Sequence, residues 1–117
     1  MFTDYSYLNP DRLVELIFDD PAHDVRALAY QELVTNCGPD DAKQMIEDEG
    51  HARTQISLDE NDFAGAEQAL KDWKLARQIG MAWMYVAAYG RSQELVKGTE
   101  GAMFNSHLAH LINTNTY

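Results

Sequence analysis

The chain has a single cysteine, Cys37, in 117 residues. One thiol excludes an intramolecular disulfide and a thiolate cluster for zinc or iron–sulfur binding, and it sets a reducing, cytoplasmic compartment as the expectation (the host cytoplasm if the protein is viral). Long hydrophobic runs are missing too. The longest, Ile79 to Tyr89, is about half of the roughly 20 residues that a membrane span needs. Met1 is not followed by a charged and then apolar leader, so neither a signal peptide nor a membrane anchor is expected. Basic residues are scarce, with nine Lys and Arg against nineteen Asp and Glu, a net charge of −10. That balance repels phosphate backbones and argues against direct nucleic-acid binding, which draws its attraction from clustered Lys and Arg.

Recognisable catalytic patterns are also absent. Ser57, Ser92 and Ser106 stand outside any nucleophile elbow, Cys37 has no sequence-evident base beside it, and no glycine-rich phosphate loop occurs. Neither an enzyme nor a cofactor is expected.

What remains is a chain that is 45% hydrophobic and 10% aromatic, enough for one domain with one core, where a disordered chain of this charge would be poor in both. The charge is unevenly spread. Residues 1–62 hold fifteen Asp and Glu against Arg12, Arg26, Lys43 and Arg53, whereas residues 63–117 hold four against five Lys and Arg. The acidity therefore belongs to the first half, and such a surface attracts basic protein surfaces and speeds encounter with them.

Helix signals recur along the chain. Residues 1–8, with Phe2, Tyr5 and Tyr7, carry no helical stripe and are expected to form an extended aromatic arm. Asn9-Pro10 starts a short first helix with Leu13, Leu16 and Ile17 inward, widened by Val14 and Phe18. Asp20-Pro21 repeats the device for a second helix over about 21–35, with Asp20 as the cap. Gly38 closes that helix in a left-handed conformation, and Pro39 opens a short third helix ending near Gly50. Residues 51–61 read as loop. Asp59-Glu60-Asn61-Asp62 then precedes the clearest stripe, Ala66, Ala69, Leu70, Trp73, Ala76 and Ile79 at spacings of three and four. The pattern continues through Gly80 into Met81 to Tyr89, apolar on every face, as in a helix enclosed on all sides. Gly90 is a candidate break and Gly98 a candidate end. A last helix, 102–113, carries Met103, Phe104, Leu108, Leu111 and Ile112 inward, and 114–117 is a polar tail. The expected fold is all-α: a compact bundle of five to six helices, with three short acidic N-terminal helices packed on a long apolar central helix and a C-terminal helix.

Three clusters invite a metal reading, and each has a plainer one. Glu47 and His51 stand four apart on one helical face, but Gly50 between them is expected to interrupt the helix and no second Glu-x-x-His pair exists. Asp59 to Asp62 lacks the EF-hand order of ligands and suits helix capping instead. His107 and His110 are three apart with no evident third ligand. Trp73 and Trp83 are assigned to the core, while Tyr85 and Tyr89, whose hydroxyls tolerate a wet boundary, suit an interface.

The leading expectation is a noncatalytic acidic binding protein, of the character of phage or mobile-element inhibitors, whose carboxylates stand in for nucleic-acid phosphates before the basic groove of a partner protein. The residues expected to meet that basic protein surface are Asp19, Asp20, Asp24, Asp40, Asp41, Glu47, Asp48, Glu49, Asp59, Glu60, Tyr85 and Tyr89. The plainer account of the same charge is a solvated, solubilising face. An alternative is a homo-oligomeric structural or assembly subunit, such as a homodimer, pairing through the apolar helix 79–89, and a third is a metal-dependent enzyme using Glu47 and His51.

Overall fold

The computed structural model describes residues 8–88 and 102–115. Five α-helices are found among them: α1 (Pro10–Asp19), α2 (His23–Cys37), α3 (Pro39–Asp59), α4 (Phe63–Ala88) and α5 (Ala102–Asn113). No strand occurs among the described residues, and the fold is an all-α bundle. Residues 1–7, Tyr89, Gly90, Gly98 and the side chain of Met103 lie outside the described set.

The start of α1 is as its sequence dictates. Asn9 takes extended backbone, its Oδ1 accepts from the Arg12 amide at 2.9 Å, and Pro10 occupies the first turn, where a missing N–H costs no helical bond. Leu13, Val14, Ile17 and Phe18 are buried on one face.

The start of α2 departs from expectation. Asp20 Oδ1 accepts from the Ala22 amide at 2.9 Å, two residues on, which makes an Asx-type turn around Pro21. With that carboxylate engaged, the helix begins only at His23, and Ala22 is its cap without a side-chain bond. At the other end Gly38 has φ +88° and ψ 158°, a conformation open to little but glycine, and it both closes α2 and opens α3.

The third helix is not short. It runs 21 residues, straight through Gly50 and through the stretch 51–59 read as loop. Gly50 does not interrupt it because it is where α3 meets α4: a Cβ built there would stand 2.2 Å from the Trp73 indole. Beyond Gly50, Thr54 Oγ1 donates to the Gly50 carbonyl within α3 and Arg53 reaches across to Asp19 on α1, so a side-chain bond and a cross-helix contact hold a segment that has little apolar stripe of its own.

Helix α4 runs unbroken through Gly80 and packs against each of the other four helices. Its inward arc, including Ala76, Ile79, Ala82, Trp83 and Val86, is buried. Trp83 tilts against Tyr30 at a centroid distance of 5.6 Å, and Phe104, Leu108 and Leu111 of α5 complete the core. The expectation that Met81 to Tyr89 is enclosed on every face fails over its described part: Met81, Met84 and Tyr85 are exposed, because the helices gathered around α4 leave its outer arc open. Ile112, expected inward, is 44% exposed. No helix among the described residues is long and apolar enough to cross a membrane.

Candidate functional site

Two facing helices build an anionic groove. On α1, Asp11, Glu15 and Asp19 follow at intervals of four, which places successive carboxylates on neighbouring turns of one side. On α3, Asp48 and Glu49 rise opposite. Together with Val14, Met45, Ala52 and Arg53 they line a groove of about 570 Å³. Val14, Met45 and Ala52 supply the apolar part of its lining, and five carboxylates surround them.

Arg53 is the one cation in that lining. Its Nη1 and Nη2 donate to Asp19 at 2.6 and 2.9 Å, its Nε donates to Glu49 at 2.6 Å, and its guanidinium lies 4.7 Å over the Phe18 ring. The Arg53 hydrogen bond holds the Asp19 carboxyl below the ordinary carboxylate range, and the two carboxylates hold Arg53 charged. Arg12 pairs with Glu15 at 2.6 Å on the rim, more than half exposed on both sides, so this pair adds little to stability. Asp11 and Asp48 face solvent, and Asp48 accepts from Gln44 at 2.8 Å.

The expected site residues divide. Asp19, Asp48 and Glu49 come together in the groove, and Asp41 and Asp59 extend the anionic side of α3, since they stand two turns before and three turns after Asp48. The others lie elsewhere. Asp20 shapes the α1–α2 turn, and its carbonyl accepts from Arg26 Nε. Asp24 bonds the Val25 amide in the first turn of α2, and Glu60 closes α3. Asp40 lines a separate groove with Lys43 and Arg77. Tyr85 stacks on His107 at 4.0 Å, and Tyr89 is outside the described residues.

Glu47 has an internal role. It accepts from Trp73 Nε1 at 2.9 Å and from Arg77 Nε and Nη2 at 2.8 and 2.5 Å, and Arg77 in turn covers the Trp73 ring at 4.5 Å. The Arg77 hydrogen bond, helped by that of Trp73, keeps the Glu47 carboxyl below its ordinary range. Both of its oxygens are committed to joining α3 to α4, and His51 is an exposed neighbour one turn on.

Asp11 and Glu15 are the groove residues that sequence reading missed. The four-residue spacing Asp11, Glu15, Asp19 is the signal for them in the sequence.

Compared with protein families, with curated proteins and with solved structures, the chain finds no match in any of the three.

Proposed function

We propose that this chain is a noncatalytic binding protein that holds a cationic segment of another protein in the groove between α1 and α3. The observation that carries the reading is the lining itself: carboxylates on both walls, Asp11, Glu15, Asp19, Asp48 and Glu49, against Arg53 in the lining and Arg12 on the rim. Such a cleft concentrates negative potential, which raises the encounter rate with basic partners and falls with added salt. Its apolar lining suits the methylene stems of Lys and Arg, while the carboxylates meet their heads. Segments of that kind are what nucleic-acid-binding proteins use to hold phosphates, so occupying one would inhibit it.

The test uses an arginine-rich helical peptide as probe, titrated calorimetrically at low and high salt. Wild-type protein should bind at low salt and lose affinity as salt rises. Reversing Asp11, Glu15 and Asp48 to Lys should weaken binding by at least about tenfold. Reversing Asp24, Asp40 and Glu60 to Lys makes the same change in net charge away from the groove and should leave most of the affinity. Equal losses in the two triple variants would mean that overall charge, not this groove, attracts the probe, and the proposal would fall.

A further inference from the structure

The outer arc of α4 carries an apolar knob and an apolar socket that one molecule cannot bring together. Phe63, in the first turn, is 69% exposed, and Leu70 is 51% exposed. Met81 and Met84 are exposed near the other end of the helix, where they lip a groove of about 740 Å³ that Tyr30, Ile46 and Gly80 also line. From Phe63 to Leu70 is two helical turns and from Phe63 to Met81 is five, so all three stand on one face. Phe63 is also about 27 Å from Met81 along a straight helix and cannot fill the socket of its own chain.

Charge along the same face is divided. Glu67 lies towards the start of α4, and Lys71 and Lys74 follow. Two copies packed in parallel would set like charge against like. Packed antiparallel about a two-fold axis near residue 72, they would set Phe63 of each copy on Met81 and Met84 of the other, and Glu67 near Lys74 of the other. Leu70 would then lie along the methylene stem of Lys74 in the second copy. Shape and charge select the same register.

We infer that α4 is a homodimer interface, antiparallel and two-fold, in which each copy seats Phe63 in the Met81–Met84 groove of the other. Glu67 and Lys71 of one chain are 4.0 Å apart and about seven-tenths exposed, a loose surface pair that leaves Glu67 able to turn to a partner. A 26-residue helix offers a strip about 39 Å long and about 10 Å wide, or about 780 Å² buried over the two copies, less than a stable specific interface, so the dimer should be weak, forming at high micromolar concentration or above. None of these residues lines the α1/α3 groove, so the dimer and the proposed basic-segment site can fail separately.

Sedimentation equilibrium of the full chain, from roughly micromolar to millimolar concentration, decides the matter. Reversible dimerisation is expected. Phe63→Ser and Leu70→Glu should each weaken it by about tenfold or more with helical circular dichroism unchanged, because both side chains are exposed. Glu67→Lys alone and Lys74→Glu alone should weaken it, and the two together should restore it. A chain that stays monomeric throughout, a dimer indifferent to Phe63→Ser, or a double charge swap that fails to recover association would each overturn the inference.

Discussion

Gly50 sits mid-helix, where alanine is ordinarily the better residue by about 1 kcal/mol. Here the exchange should go the other way. A Cβ at this position would lie 2.2 Å from Cγ and Cδ2 of Trp73, atoms at the root of the indole that cannot swing aside. Trp73 is in turn fixed by its Nε1 bond to Glu47 and by the Arg77 guanidinium over its ring. Moving it would disturb three groups, and overpacking of this kind costs about 1–3 kcal/mol. Gly50→Ala is therefore expected to lower the unfolding free energy by up to about 2 kcal/mol in urea titration, after the gain in helix propensity is subtracted. An unchanged or raised midpoint would show that α3 and α4 can part by an ångström without loss. The same contact explains why a glycine that reads as a helix end in sequence is instead a helix crossing: the signal for one and for the other is the same missing side chain.

At the level of elements, what could be read in advance was what local chemistry controls. The Asn9-Pro10 start, the glycine between α2 and α3, and the buried stripe of Ala66, Ala69, Ala76 and Ile79 each depend on neighbours within a turn or two and stand where the sequence placed them, whereas Leu70, read into the same stripe, is 51% exposed. The continuation of α3 past Gly50 was not legible, because its support comes from Asp19, 34 residues away, and from Trp73. The groove was half legible: Asp19, Asp48 and Glu49 were singled out, but which acidic residues share a wall depends on how α1 lies on α3. The start of α2 was misread because Asp20 has two amides within reach and bonds the nearer one, at Ala22. That leaves an uncapped helix, and it suggests a gain. Ala22 already has the extended backbone of a cap residue, φ −93° and ψ 123°, so a hydroxyl there can accept from a first-turn amide without backbone rearrangement, sharing that turn with Asp24, which holds the Val25 amide. Ala22→Ser should stabilise the fold by about 0.5–1 kcal/mol, seen as a rise of several degrees in Tm; a fall would mean that packing around Ala22 outweighs the cap.

Over the whole molecule, an acidic first half is tied together by two guanidiniums that each join distant segments. Arg53 binds α3 to α1 through Asp19, and Arg77 binds α4 to α3 through Glu47. Both carboxyls are held below their ordinary range by these bonds. A carboxyl whose folded pKa lies below its unfolded one adds stability at every pH above the unfolded value, about 4, and that stability drains away as pH falls through the folded value. His23 pushes in the same direction, since burial and then Arg26 lower its pKa, so protonating it below about 6.5 disfavours the folded chain. The total acid response therefore mixes several groups. A difference between two proteins separates them. Glu47→Gln keeps the size of the side chain and removes its charge, while His23 and the groove stay as they were. Asp19 is more than half exposed, so Glu47, at 29%, should carry the larger effect. Wild type should be more stable than Glu47→Gln by about 1–2 kcal/mol at neutral pH, with the gap closing as pH falls below about 4. Urea unfolding of both proteins at a series of pH values measures that gap directly. A gap of the same size at every pH would show that Glu47 contributes through shape and neutral hydrogen bonding, and that the charge of the Arg77 pair does not hold α3 against α4.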